Sequence, residues 1–523
     1  MVIDEKLKRK PMLFKNIIYN LFGQAFLIIL GFTAVKFIHG DLGDDTLGII
    51  FFTTTLNVIL STALNLGICT TIVREVSKHY HAESDYVHNL IRTASLFYWG
   101  FFILISFAIF FTAPILVDKW IILKTIDKQT AVFVLRILGI AAIIALPQSV
   151  YQSLFNGIQR MEFNNIINVG ATGFRQLGVI FILCLDGNLF QVIYWYAASS
   201  VIQLMAYIIT VAHFFPFKAL IPKYSSIVIK RNISFASIMT ISTVFGAISN
   251  QLDSVIISKY LPIGILGYYI FAKGIISRGN GLTTSVLTAS FPSFSSLSYE
   301  KDRTGLIAQF RKIYDLISFA TVPIYVLILF ALSPVLSYIF NVEVAKMLYL
   351  PATLLCLGTY LYGLINVQFS FAIAAGKPGI SAKAKIYELL FVVPITILLI
   401  NYFGILGAGL AHVVRMIFYY TYATPLICSK CLEIPVSEIY LRVFRTFILS
   451  GLTYGGAWLT LRFINNFSIL CLSTAYLIST ILFLIGSYKM LSYESRKTML
   501  NYIQVYKFKF TSVFLKESKS WNP

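Results

Sequence analysis

Long apolar stretches recur along the whole chain, separated by short polar stretches rich in Lys and Arg. About 20 apolar residues in helical form cross a hydrocarbon core about 30 Å thick. The pattern predicts such spans near 16–38, 46–70, 92–117, 131–155, 164–185, 190–215, 233–257, 264–290, 316–340, 347–375, 384–402, 404–427, 441–462 and 467–489, fourteen in all. The narrowest separation, Asn401–Gly407, divides the eleventh from the twelfth. The runs are continuous and do not alternate in ten-residue strands, which argues against a transmembrane barrel. The expected fold is an all-α polytopic membrane protein.

Composition agrees. The 523 residues are 58% hydrophobic and 12% charged, where a soluble domain is about a quarter charged. The net charge of +20 would suggest a nucleic-acid partner in a soluble protein. Here the excess of Lys and Arg on cytoplasmic loops explains it, so no nucleic acid is expected. With residue 1 inside, Arg74, Lys78, Arg160, Lys218, Lys223, Lys230, Arg231, Arg311, Lys312, Lys377, Lys383 and Lys385 all fall on the cytoplasmic face. The opposite loop His39–Asp45 is acidic. The charges therefore place both termini in the cytoplasm of a multi-pass protein. A basic arm occupies 1–15 and a basic tail 491–523, where Tyr506-Lys507-Phe508-Lys509-Phe510 interleaves aromatics with cations. That tail suits either an interfacial segment on an anionic leaflet or a poorly ordered end. No cleavable signal peptide is evident, and the short loops leave no room for a soluble domain.

The pattern also repeats. Asn20-Leu21-Phe22-Gly23 matches Thr243-Val244-Phe245-Gly246, and Lys36 matches Lys259, both at an offset of 223. Leu47-Gly48 matches Leu266-Gly267, and Asn156–Arg160 matches Ala374–Pro378, at offsets near 219. Spans 1–6 (16–215) and 7–12 (233–427) then form two six-helix lobes joined by a cytoplasmic linker, 216–232, with two helices appended over 428–490. Six spans per half give both halves the same orientation, a parallel repeat that places a substrate site between them.

Several segments resemble one known family in order and spacing. They are Gly23-Gln24, Ala63–Gly67 with Arg74-Glu75, Asn156–Arg160, Asn250-Gln251-Leu252-Asp253, Ala374–Pro378 and Asn401–Gly409. Together they resemble the Wzx-type lipid-linked oligosaccharide flippases of the MOP superfamily, which also contains MATE exporters and lipid II flippases. The resemblance covers roughly 12–430. It implies a V-shaped, MATE-like, two-lobed carrier in the bacterial cytoplasmic (inner) membrane. Such a carrier moves undecaprenyl-diphosphate-linked sugar units by alternating access, among membrane lipids and alongside a polysaccharide polymerase and other assembly proteins.

The candidate chemistry is charge placed inside apolar spans. Such charge is costly, and its default reading is functional. Within Ile233–Thr288, Asp253 shares a helix face with Asn250, Ser249, Gly246 and Ser242, while Lys273 shares one with Ser277, Asn280, Thr284 and Thr288. Gly267, Gly274 and Gly281 recur every seven residues and suit close helix approach. These faces line a cavity, or Asp253 and Lys273 form a structural ion pair. Arg175 is the deepest cation of the first half, with Arg136, Arg278 and Arg415 the other cations within spans. Arg binds phosphate through its fork, so Arg175, Asn250, Asp253, Lys273, Arg278, Asn280 and Arg415 are the candidate substrate-cavity residues. Arg415 can instead pack against Glu388, Arg136 can snorkel to the outer interface, and Lys36 can anchor at that interface. The repeat sets Asp253, Lys273 and Arg278 opposite uncharged Leu30, Thr54 and Ile59, which places the charged wall on the second half.

No cofactor is expected. Asp253 or Glu388 could take a coupling proton or sodium ion, and the membrane potential is a further drive, although a paired carboxylate titrates poorly. Cys428-Ser429-Lys430-Cys431 is a lone C-x-x-C with too few ligands for zinc. His79, His81 and His88 read as a solvated loop, and no nucleotide-binding or zinc-protease motif occurs. The leading function is a non-enzymatic flippase for O-antigen, capsule or exopolysaccharide units. The alternatives are a MATE-like drug or cation antiporter, a membrane polysaccharide polymerase or ligase, and a structural scaffold. Cationic drugs would want acids in the cavity, and a polymerase would want a large outer loop.

Overall fold

The computed structural model describes residues 2–64, 67–80, 83–300, 302–463, 469–491 and 496. Side chains of the basic arm, the first half of the span 233–257 and nearly all of the basic tail lie outside the described set. Among the described residues the secondary structure is helical, apart from one isolated parallel bridge between Ile122 and Pro262. Backbone donors and acceptors find no water in hydrocarbon, and a helix satisfies them within one segment.

The chain packs as two compact units. One comprises Met1–Phe271, Leu336–Ala345 and Thr396–Ala408; the other comprises Ala272–Val335, Lys346–Ile395 and Gly409–Pro523. Nine described helices are long and apolar enough to span, and Ile263–Ser277 is a shorter apolar helix. Fusion and breakage account for differences from the expected spans. The span 16–38 and the span 46–70 as far as Ala63 lie on one helical run, Val2–Ala63, which bends at Gly43, where φ is 80°. That value is hostile to any side chain with a Cβ. The span 131–155 divides into Lys128–Ile143 and Ala145–Gly157. The span 404–427 carries a π-turn at Tyr419–Ala423, and 441–462 carries one at Gly451–Gly455.

One correction bears on the candidate site. The span 264–290 is not one helix; it breaks between Ile263–Ser277 and Asn280–Tyr299. The stripe drawn through Lys273, Ser277, Asn280, Thr284 and Thr288 therefore crosses a turn at Arg278-Gly279. The glycine spacing also fails as a packing rule. Gly267 approaches the backbone of Gly48, but a Cβ at Gly274 or Gly281 would meet nothing within 4 Å.

Local capping sets the helix starts. Asp127 caps Lys128–Ile143 by accepting from the Thr130 N–H at 2.9 Å. Asn341 does the same for Val342–Ala374 through the Val344 N–H at 2.8 Å. Asn188 and Gln191 form a reciprocal capping box, each bond 3.0 Å, of the kind that satisfies two orphan donors at once. Left-handed turns recur at Gln159 (φ 60°) and Gly376 (φ 73°), and again at Asp186 (φ 54°) and Gly404 (φ 58°). The last of these is the break expected within Asn401–Gly407.

In the first unit, Leu47-Gly48 and Leu266-Gly267 meet. A Cβ on Gly267 would lie 3.1 Å from the Gly48 nitrogen, and one on Gly48 would overlap the Ile263 carbonyl. The two positions matched in sequence are thus each other's packing partners. At the same end of these helices Lys36 lies over the Tyr338 ring, 3.5 Å from its centroid, and Lys259 lies 5.2 Å from that of Trp120. Tyr338 and Trp120 stand at the ends of Arg303–Ile339 and Ser84–Lys119, helices whose starts are 219 residues apart. Each matched lysine therefore packs on an aromatic from the other half of the sequence.

The acidic loop His39–Asp45 is not fully solvated. Asp45 is 1% exposed, and its Oδ2 accepts from the N–H groups of Lys124 and Thr125 at 2.6 Å each and of Ile126 at 3.3 Å. A buried carboxylate needs such donors. Likewise His79 is not a free loop residue. It lies 3.0 Å from Glu83, and its Nε2 contacts Arg231 at 3.1 Å. Buried Glu75 completes that cluster with Arg74 (2.8 Å) and the Tyr86 hydroxyl (3.0 Å).

Candidate functional site

Within the first unit, Arg175 lies on helix Met161–Cys184 and faces helix Leu189–Ala212. Its Nε donates to Ser199 Oγ at 3.0 Å and its Nη2 to Gln203 Oε1 at 3.1 Å. Trp195 Nε1 donates to the Arg175 carbonyl at 3.1 Å, and the bare Gly178 leaves room for its indole ring. Gln203 passes the arrangement on, donating to Asn168 Oδ1 at 3.1 Å, where Tyr207 also donates at 3.0 Å. Among the described residues both hydrogen-bond partners of the guanidinium are neutral, and no carboxylate pairs with it.

Arg175 opens onto a cavity of about 220 Å³. Its polar lining includes Thr53, Thr54, Asn57, Gln148, Tyr196, Ser200 and Gln203, with Leu138, Ala141 and Ala142 on the apolar side. Asn57 is fixed through a 2.6 Å bond to the Ala142 carbonyl. An uncompensated guanidinium among neutral donors and acceptors suits an anion that also presents hydroxyls. Sequence reasoning found Arg175 by its charge. It missed Asn57, Gln148 and Gln203, because an uncharged polar residue within a span carries little signal until its facing helices are known.

Asn250 and Asp253 belong to the same unit but do not line this cavity. Asp253 is 3% exposed and accepts a hydrogen bond from the Tyr269 hydroxyl; Asn250 is exposed. Lys273, Arg278, Asn280 and Arg415 belong to the second unit. Lys273 is half-buried and Arg278 exposed. Asn280 accepts from the Tyr325 hydroxyl at 3.0 Å. Arg415 and Glu388 form a buried ion pair at 2.9 Å, and Tyr419 donates to the other Glu388 oxygen at 2.5 Å. Arg136 donates to the Phe110 carbonyl at 2.9 Å and packs over the Phe110 ring. Among the described residues no cluster of His, Cys, Asp and Glu has the make-up of a metal site.

The nine described helices long and apolar enough to span define the class, a multi-pass membrane protein. Solved structures share the fold. The lipid II flippase MurJ, in an inward closed conformation, superposes at a TM-score of 0.70 with 15% identity, covering 90% of this chain and 98% of its own. An inward-facing multidrug resistance MATE family transporter of the MOP superfamily superposes at 0.63 with 15% identity, covering 77% and 95%. A putative O-antigen transporter of Shigella flexneri is 19% identical over 408 residues, 77% of this chain and 94% of that relative. The polysaccharide biosynthesis protein family matches residues 13–298. The chain belongs to that family, with the fold of the MOP flippases and exporters.

Proposed function

We propose that this protein is a flippase. Its substrate would be an undecaprenyl-diphosphate-linked oligosaccharide unit, moved across the bacterial cytoplasmic membrane for O-antigen, capsule or exopolysaccharide assembly. The observation that carries the reading is Arg175, whose charge is answered among the described residues by neutral partners beside a polar cavity. A diphosphate would supply the missing charge, and sugar hydroxyls would find Asn57, Gln148 and Gln203. Family membership and the O-antigen transporter relative support the same substrate class. The two repeated halves would rock by alternating access, with both termini in the cytoplasm and no chemical step. For coupling, Asp253 is the acid to test, with Asp253→Asn assayed under collapsed proton and sodium gradients.

The test of the reading is complementation in cells lacking the chromosomal copy. Arg175→Ala should insert at wild-type levels yet lose surface polysaccharide by about ten-fold or more, the worth of one charge-assisted contact. Arg175→Lys should keep part of it. Full surface polysaccharide with Arg175→Ala would overturn the role of this cavity. Export of a cationic drug without any sugar-pathway requirement would instead favour an antiporter.

A further inference from the structure

The second unit holds a larger cavity, about 550 Å³, which the flippase reading does not use. It lies where helix Arg303–Ile339, helix Val436–Ser450 and the end of helix Ile469–Met490 come together. Five cations line it, Arg311, Arg442, Arg445, Lys489 and Arg496, against two acids, Asp315 and Glu438. Both acids are already committed. Glu438 takes the fork of Arg311 at 2.7 and 2.8 Å and Arg442 at 3.1 Å, and Arg442 also pairs with Asp315. Arg445, Lys489 and Arg496 are left without a carboxylate among the described residues of the lining. Arg496 is nonetheless held in place, donating to the carbonyls of Leu491 at 3.0 Å and Lys489 at 2.6 Å. Beside Ser318, the rest of the lining is apolar, with Phe319, Leu441, Met490 and Leu491.

From this geometry we infer that the cavity is a binding site for a phosphate-bearing headgroup. Two arginines neutralise the carboxylates and stiffen the wall, while three further cations present donors to one space. Arg and Lys in a partly desolvated site bind phosphate through charge-assisted hydrogen bonds. The apolar wall beside them suits the first carbons of a lipid glycerol backbone. Arg311 and Lys489 lie on the face that the charge pattern places in the cytoplasm, the side on which a membrane carries its anionic leaflet. The same chemistry could be met by a soluble diphosphate, so the test carries both sources. The inference stands whether or not the transported substrate is the one proposed above.

The full-length protein is purified in a neutral detergent, and its binding of phosphatidylglycerol is counted by native mass spectrometry and titrated by thermal shift. Phosphatidylcholine and inorganic pyrophosphate serve as parallel probes. Phosphatidylglycerol should bind at low stoichiometry, and each neutralised cation should weaken it about five-fold, as expected for one basic residue at an anionic surface. Arg445→Gln with Lys489→Gln should therefore weaken binding about 25-fold. Both residues are exposed, so the unliganded unfolding midpoint should hold. The exposed pair Lys218→Gln and Lys223→Gln is the control, and it should leave binding unchanged. Pyrophosphate that binds and competes identifies a soluble phosphate as an occupant of the same site. Equal binding of phosphatidylcholine, unchanged binding in the Arg445/Lys489 variant, or equal loss in the Lys218/Lys223 control would each overturn the assignment.

Discussion

Two carboxylates, one buried and one half-buried, show what charge does here at the scale of single residues. Glu388 is fully buried between Arg415 and Tyr419. Removing one partner of such a pair strands a charge, at about 3–5 kcal/mol. Arg415→Ala should therefore lower the thermal midpoint of the purified protein sharply, and the double variant Arg415→Ala, Glu388→Ala should recover part of the loss. A simple sum of the two single losses would mean that the pair is not coupled. Glu438 behaves differently. Burial pushes its carboxyl up, but Arg311 and Arg442 outweigh this and hold it below its ordinary value. A depressed acid stabilises the fold above its unfolded pKa and loses that contribution as pH falls. Stability should accordingly drop as pH falls below about 4.5, and Glu438→Gln should flatten that part of the profile.

Among the helices, the strongest constraint is close approach. Gly48→Ala would drive a methyl into the Ile263 carbonyl, an overpacking cost of about 1–3 kcal/mol. Gly274→Ala, with nothing within 4 Å, should change stability by under about 0.5 kcal/mol. Equal unfolding midpoints for these two variants would refute the contact. The reciprocal lysine contacts are weaker. Lys36→Ala and Lys259→Ala should each lose about 0.5–1 kcal/mol, the worth of an exposed cation–π contact. Lys36→Arg should keep it, because guanidinium also packs on an aromatic face.

For the whole molecule, repetition in the sequence reappears as repeated local devices. The cap at Asp127 has a counterpart at Asn341, the turn at Gln159 one at Gly376, and the turn at Asp186 one at Gly404. The charges within spans are not repeated. Arg175 serves a cavity built wholly from the first unit, whereas the buried pair Glu388–Arg415 and the larger cationic cavity belong to the second.

The helical class, the membrane setting and the family were legible in the sequence, because apolar length and loop charge act locally and need no partner. So was Arg175 as a cation deep in the first half, whereas for Arg415 the sequence left open a cavity role and a pairing with Glu388, and the structure shows the pair. Other features were decided only when distant segments met. The polar stripe from Lys273 to Thr288 assumed an unbroken helix, and the turn at Arg278-Gly279 divides it. The sequence marks the loop His39–Asp45 only as acidic, and the structure buries Asp45 under the amides of Lys124 and Thr125. Of three evenly spaced glycines only Gly267 has a neighbour close enough to need one. A hydrophobic period reports which face avoids water. Which atoms fill that face, and which charges find one another there, depends on packing between segments hundreds of residues apart, and only the tertiary structure settles it.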